Sequence, residues 1–326
     1  MKKFNIAIVG LGYWGPNILR ALSKIKKVNK ILVIDADKKR LTLAKKINKK
    51  VFISQNIKDI KRSYVDGIIL STPAKTHYTL GKIALKAKKH LLIEKPIVTK
   101  KKDLIKLYKL ANKNKLILMS GDLYMYHPAI KKLKKIVQHK NFGKLRYIYS
   151  ERLNLGRIRK DINIIENLAT HDFGVIFYLL NSVKKIKFSV VKTSFLQKNI
   201  DDIAFITLKL NRDITANLNL SWYHPEKVRK LSIIGSKKMV TFDDIEKQIE
   251  IHNKKVTLDN SKKIYDKKIP NFKYLNKPSK IIKFNEEPLK LELISFLNCI
   301  SKQNKPVTGF KFNYQIIDLL EKINQK

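Results

Sequence analysis

The sequence predicts an α/β chain with two unlike halves. The first is a doubly wound parallel sheet, and the second is an α+β domain built on a largely antiparallel, open-faced sheet. Three observations carry this expectation. The apolar run Ala7-Ile8-Val9 breaks into a turn with glycines at 10, 12 and 15 and then a helix. Strand and helix signals alternate through the first third of the chain. Beyond Gly121 the rhythm changes to alternating strands joined by hairpin-like turns such as Asn211-Arg212-Asp213.

Lys2 to Val9 reads as the first strand, and Asn17 to Ile25 as an amphipathic helix. Between them lies a G-x-G-x-x-G turn. Gly10 permits the tight bend, Gly12 lets the backbone approach a phosphate, and Gly15 lets the helix pack close, with Tyr13 and Trp14 inside the turn. The unpaired N–H groups of the helix start face an anion, and Pro16 is tolerated because first-turn amides have no helical partner. Lys30 to Ile34 forms a second apolar strand that ends at Asp35, 20 residues beyond Gly15. That is the acidic position which accepts hydrogen bonds from the adenosine ribose of a dinucleotide and repels a 2′-phosphate, so a Rossmann unit favouring NAD over NADP is expected.

Helices follow at Lys38 to Lys46 and Ile57 to Lys61, with a short strand at Val51 to Ser54 between them. Val65 to Leu70 is a buried strand. It runs into the polar turn Ser71-Thr72-Pro73 to His77 at a strand's carboxyl end, where open α/β sheets bind ligands. Tyr78 to Lys88 (helix), His90 to Ile93 (strand), Lys102 to Asn112 (helix) and Leu116 to Met119 (strand) complete a first domain placed at 1–121. The second domain, 122–326, opens with a helix at Pro128 to Gln138, a strand at Leu145 to Asn154 and a helix at Ile165 to Leu180. Strands are expected at Ile186 to Thr193, Ile203 to Leu210, Thr215 to Trp222, Val228 to Ile234 and Lys238 to Asp243. Asn260 to Phe284 is lysine-laden and poorly periodic and reads as an exposed loop, and helices at Pro288 to Ser301 and Tyr314 to Ile323 close the chain.

The formal net charge of +44 rests on 70 basic residues, of which nine are arginine and 61 lysine. A protein that reads bases favours arginine's bidentate fork. Lysines spread over nearly every predicted helix, with abundant Asn and Ile, fit compositional drift onto solvated faces better than a selected nucleic-acid surface. General attraction of anions remains a third reading. No run of about 18 apolar residues suggests a membrane span, and no secretory pattern opens the chain, so a cytoplasmic protein is expected. The one cysteine, Cys299, sits in an apolar helix and reads as inert. The seven histidines show no ligand spacing, so no metal is expected.

Four motifs in combination are similar to the glucose-fructose oxidoreductase, inositol dehydrogenase and MocA (Gfo/Idh/MocA) family: G-L-G-Y-W-G-P-N at 10–17, S-T-P-x-x-x-H at 71–77, E-K-P at 94–96 and R-L-N-L-G-R at 152–157. They look most like the branch of UDP-N-acetylhexosamine and related uronate 3-dehydrogenases. The resemblance covers essentially the whole chain. It places Ser71, Thr72, His77 and Glu94 with the glycine turn around the cofactor, and Lys95 beside both the nicotinamide and the sugar hydroxyl being oxidised. It also implies a cis bond before Pro96.

Chemically, a partly desolvated lysine can take the hydroxyl proton as hydride leaves the carbinol carbon. In the same family a helix carries an Asp and a His four residues apart, which align with Asn167 and His171; here an amide replaces the carboxylate. His171 then assists by a hydrogen bond or a proton relay, or else is a satisfied helix histidine, and Asp172 points away. The resemblance puts Arg152, Asn154 and Arg157 at the substrate, where paired donors suit a diphosphate or carboxylate; solvated basic residues are the alternative. The family's domain-junction segment is matched at Tyr124, Tyr126 and His127, except that Asp122 stands where the family often has His.

The expected activity is NAD-dependent hydride transfer at a sugar ring hydroxyl, at C3 of a UDP-N-acetylhexosamine or its uronate. A 3-ketosugar reductase, an inositol or polyol dehydrogenase and a non-catalytic NAD sensor are the alternatives. A homo-oligomer is expected, because the open sheet face needs covering.

Overall fold

The computed structural model describes residues 2–156, 158–159, 162–181, 183–211, 213–259 and 271–325, and for 253–259 and 271–278 the backbone alone. The chain forms two compact units, Met1–His127 with Glu286–Lys326, and Pro128–Asn285.

In the first unit, strands β1 (Phe4–Val9), β2 (Val28–Ile34), β3 (Phe52–Ser54), β4 (Gly67–Leu70), β5 (His90–Glu94) and β6 (Leu118–Gly121) form a six-stranded sheet in the order β3-β2-β1-β4-β5-β6. All its pairings are parallel. The strand order reverses beside β1, so the carboxyl ends of β1 and β4 flank the topological switch point where such sheets bind ligands. Continuous apolar runs explain the central strands, since Ile68, Ile69, Leu70, Leu91, Leu92 and Ile93 are all fully buried between helical layers. Those layers are α1 (Gly15–Ser23), α2 (Lys38–Ile47), α3 (Ala74–Lys86) and α4 (Lys101–Lys113). Helix α4 buries Leu104, Leu107, Tyr108 and Ala111, a 3.6-residue stripe, and leaves its lysines to solvent or partly so.

In the second unit, α5 (Pro128–Gln138) precedes β7 (Leu145–Leu153), and α6 (Thr170–Leu180) follows a five-residue π turn at Ile165–Ala169. Strands β8 (Ile186–Thr193), β9 (Ile203–Leu210), β10 (Ile214–Ser221), β11 (Val228–Gly235), β12 (Met239–Asp243), β13 (Gln248–Asp259) and β14 (Asn271–Lys283) complete an eight-stranded sheet, β14-β13-β12-β11-β7-β10-β9-β8. Only β7 and β10 pair parallel. Strict alternation in β9 buries Ala204, Ile206, Leu208 and Leu210 and exposes Phe205 and Lys209, so one face carries the core.

The sequence reading missed β13, and it took the whole of β14 for exposed loop. Lysines at the edge of a sheet obscure the apolar period, and Pro278 reads as a strand breaker although β14 runs through it. The register shift between Ile251 and Asn253 falls opposite that proline, and β14 is an edge strand, the place where proline and lysine are tolerated. The remainder of the predicted loop, 260–270, lies outside the described residues.

Helices α7 (Pro288–Lys302) and α8 (Phe310–Asn324) were expected in the second domain, yet they pack in the first unit. Their apolar stripes find partners there. Phe296 and Ile300 reach the position where a side chain on Gly67 would stand, and Tyr108 meets Phe310 edge-on at 5.2 Å. The linker between them is sewn to β6, because Thr308 donates to Ser120 O at 2.8 Å and Ser120 N–H returns a bond to Thr308 O at 3.1 Å.

Candidate active site

The carboxyl edge of the first sheet gathers three turns. Gly10 has φ +89°, and a Cβ there would lie 2.7 Å from Ser71 O, so only glycine lets the first turn meet the β4 turn. A Cβ on Gly15 would lie 2.7 Å from Gly10 O, whereas one on Gly12 would meet nothing within 4 Å. Two glycines thus permit protein contacts, and the third fronts open space. Helix α1 starts there with no side-chain cap and no acid in its first turn, leaving its positive end for an external anion.

Asp35, 7% exposed, accepts Leu11 N–H at 2.6 Å and Asp37 N–H at 2.9 Å, and its Oδ2 lies 3.5 Å from Arg40 Nη1. The carboxylate is therefore fixed against the glycine turn. Tyr13, 79% exposed, stands off the turn, while Trp14 is half-buried and hydrogen-bonds Glu94.

His77 lies within α3 rather than in a turn, because Pro73 starts that helix four residues earlier than the sequence suggested. Its ring is buried between the other two turns, with Nδ1 2.8 Å from Pro96 O and Nε2 2.8 Å from Thr72 O. Burial pushes the imidazole below its ordinary range, and both carbonyls pull it back. That position makes His77 a strut between the Ser71 turn and the Lys95 turn. Thr72 Oγ1 accepts from Thr76 Oγ1 at 2.7 Å, which steadies the same turn.

The Lys95–Pro96 bond is cis. Lys95 is half-buried beside Glu94, whose carboxyl is pushed up to about 7, chiefly by burial. The Lys95 charge and the hydrogen bonds from the Lys95 backbone and Trp14 draw it down, and Asp122 pushes it further up. A Cβ on Gly121 would sit 3.0 Å from Glu94 Oε1, so the glycine ending β6 makes room for that carboxyl.

In the second unit, Arg152, Leu153 and Asn154 lie at the carboxyl end of β7. The carboxyl ends of β7 and β10 lie side by side there, with Leu153 opposite Ser221. Asn154 N–H donates to Ser221 O at 3.0 Å, and its side chain folds over Gly156, where a Cβ would fall 1.8 Å from Nδ2. Asn163 and Glu166 cap each other reciprocally at the start of the π turn, and Ile164 N–H reaches Asp201 O at 2.9 Å. Asn167 thus sits in a π turn, a feature frequent at functional sites, and His171 follows in the first turn of α6.

Arg152 is neither solvated nor open to a ligand at Nε. It is 9% exposed, and Nε donates to Asp172 at 2.8 and 2.9 Å, while Ser150 Oγ donates to the same carboxylate at 2.8 Å. Burial pushes the Asp172 carboxyl up, and Arg152 and Ser150 pull it back. Asp172, which the sequence reading set aside, is the inward partner of Arg152. Arg157 lies outside the described residues.

Two family models match the chain: an oxidoreductase family with an NAD-binding Rossmann fold over residues 4–122, and the Gfo/Idh/MocA C-terminal domain over residues 130–241. The chain belongs to the Gfo/Idh/MocA oxidoreductase family. Its first part is the family's NAD-binding domain, and the open space at Gly12, the uncapped start of α1 and the carboxylate of Asp35 fit such a cofactor.

A UDP-N-acetylglucosamine 3-dehydrogenase from Acidithiobacillus ferrooxidans is 28% identical over 191 residues, 58% of this chain and 59% of that protein. The match thus spans less than two thirds of that relative's length. A solved structure of UDP-N-acetylglucosamine 3-dehydrogenase from Acidithiobacillus ferrooxidans superposes with a TM-score of 0.81 at 20% identity, covering 100% of this chain and 98% of that one. A structure of a protein of gentamicin A biosynthesis in complex with NAD gives 0.81 at 15% identity, covering 98% and 93%. At those identities the structures share the fold.

Proposed function

We propose that this protein oxidises a ring hydroxyl of a sugar, at C3 of a UDP-N-acetylhexosamine or its uronate, with Lys95 as the acid/base. The observation that carries the reading is the E-K-P turn at the carboxyl edge of β5, with Glu94 bonded to Trp14 of the glycine turn. NAD supplies the hydride acceptor when bound.

Lys95 Nζ takes the hydroxyl proton as the carbinol C–H bond breaks, so the charge developing on oxygen is neutralised as the ketone forms. In the reverse direction its ammonium returns that proton. The His77 strut ties the backbone of the Lys95-Pro96 turn to that of the Ser71 turn, which is the kind of positioning that hydride transfer needs. Gly10, Gly12 and Gly15, with the backbone around Tyr13 and Trp14, cradle the pyrophosphate; Asp35 takes the ribose, and Ser71 and Thr72 wall the same edge. The family resemblance assigns Asn154, Asn167 and His171 to sugar binding, with Asn167 supplying an amide where the family has a carboxylate. A homo-oligomer built on the open face of the second sheet belongs to the same reading.

The test is an assay of NAD reduction across UDP-N-acetylglucosamine, UDP-N-acetylgalactosamine, their uronates and myo-inositol. The expected result is turnover with a UDP-sugar at a kcat/KM at least about tenfold above that with inositol. Cofactor binding without turnover on any of them, in either direction, would instead favour a sensor.

Asp35 provides a second check. Asp35→Ser removes hydrogen bonds to a charged acceptor, worth roughly 1.5–3 kcal/mol, so NAD affinity should fall about tenfold or more. NADP affinity should fall less, because the repulsion of a 2′-phosphate goes too. Fluorescence titration with both cofactors reads the difference, and an unchanged ratio of the two affinities would contradict the assignment.

A further inference from the structure

Four strands of the second sheet have an end in one row. Thr193 of β8 stands opposite Ile203 of β9, Ile203 opposite Ser221 of β10, and Ser221 opposite Leu153 of β7. Two residues past that row, beyond three of those strands, a large apolar or aromatic side chain stands in solvent: Phe195 is 68% exposed, Tyr223 56% and Leu155 68%. One such residue is ordinary on a protein surface, but three gathered at one sheet end point to something that covers them.

The two aromatic residues are tied to a single buried acid, Asp202, which is 1% exposed. Its N–H donates to Thr193 O and its carbonyl accepts Trp222 N–H, both at 2.9 Å, while its Oδ2 accepts Leu196 N–H at 2.6 Å. One residue thus bonds the chain neighbour of Phe195 and the chain neighbour of Tyr223. Tyr223 N–H in turn donates to Ser221 Oγ at 2.9 Å, so the backbone beside each ring is fixed. Asp202 Oδ1 has no hydrogen-bond partner among the described residues. A buried acceptor left unmade costs stability. Holding two aromatic turns side by side gives the chain a reason to retain the acid.

The same turns bond to the segment that the family resemblance assigns to the substrate. Asn154 N–H donates to Ser221 O at 3.0 Å, and Gln197 Nε2 donates to Arg159 O at 2.9 Å. Ile164 N–H donates to Asp201 O at 2.9 Å, immediately before the π turn that carries Asn167.

We propose that Phe195 and Tyr223 form a stacking platform for the nucleobase of a nucleotide sugar, leaving Asn154 and Asn167 to its sugar. The proposal rests on the reading of a UDP-N-acetylhexosamine as substrate. A base is flat, presents a π-face on each side and keeps its polar atoms at the rim, so it suits exposed rings. A pyranose carries hydroxyls around its edge and suits hydrogen-bonding side chains such as the two asparagines. Stacking tolerates any base, so the platform contributes affinity for the nucleotide rather than a choice of uracil.

The test titrates the intact protein, saturated with NAD, with UDP by calorimetry. Removing a ring that stacks on a base should weaken UDP by about fivefold or more in each of Phe195→Ala and Tyr223→Ala, whereas Tyr223→Phe, which keeps the ring, should stay within about twofold. In turnover of UDP-N-acetylglucosamine the alanine variants should raise KM and hold kcat within about twofold, the pattern of lost ground-state binding.

A UDP affinity unchanged in either alanine variant overturns the platform. If KM for the UDP-sugar nevertheless rises, the rings face the sugar; if gel filtration shows a smaller assembly, they belong to an interface between copies. The substrate reading stands in both cases. Failure of the unsubstituted protein to bind UDP, with NAD bound, would overturn the nucleotide-sugar reading and the base platform together.

Discussion

Lys95→Met is expected to lower turnover by about 10²- to 10⁴-fold, the usual contribution of a positioned acid/base. Methionine keeps the unbranched reach of the side chain and removes the titratable nitrogen. The glycine turn and Asp35 lie on other strands of the same edge, and Asp35 is held by Leu11 N–H and Asp37 N–H. NAD affinity should therefore change by no more than about threefold, below a kcal/mol. Parallel measurement of kcat and cofactor binding separates the two contributions. Turnover at the unsubstituted rate would remove Lys95 from the chemistry, and an equal loss of cofactor binding would make it a binding residue.

Asp172→Ala should produce the largest loss of stability. Arg152 and Asp172 form a buried pair at the end of β7, with two oxygens of one carboxylate on Nε and Ser150 Oγ on the same group. Deleting the carboxylate strands a guanidinium in a site that excludes water, at a cost of about 3–5 kcal/mol. Denaturant unfolding followed by tryptophan fluorescence is a suitable readout, since fully buried Trp222 adjoins the same sheet end. Replacing both partners, with Arg152→Met and Asp172→Leu, should recover much of the loss, because neither charge is then left alone. If Arg152→Ala instead left stability within about 1 kcal/mol and weakened only substrate binding, the arginine would be a ligand-facing residue, as its motif first suggested.

The first unit was legible in the sequence because its signals are local. Buried strands such as Gly67–Leu70 read as unbroken apolar runs, and the glycines at 10, 12 and 15 stand between an apolar strand and a helix, the context that gives their spacing meaning. The second sheet was read as far as β12, where alternation is regular. Beyond it, lysines and Pro278 at the edge hid β13 and β14. The return of α7 and α8 to the first unit was invisible for a different reason: amphipathic stripes show that a helix packs, but not on what.

The site divides in the same way. Residues tied to strand ends were found, whereas residues defined by a partner distant in the chain were not. His77 looked like a turn residue until its two carbonyl contacts were seen, and Asp172 had no evident partner before Arg152 came within 2.8 Å.

The most direct measurement is the fate of the hydrogen at C3. The protein is incubated with NAD and UDP-N-acetylglucosamine deuterated at that carbon, and the reduced cofactor is analysed by mass spectrometry. Direct hydride transfer predicts one deuterium in the reduced nicotinamide and a ketone at C3 of the sugar. Reduced cofactor without deuterium would contradict oxidation at C3, and an unchanged sugar with unreduced NAD would contradict the proposed substrate.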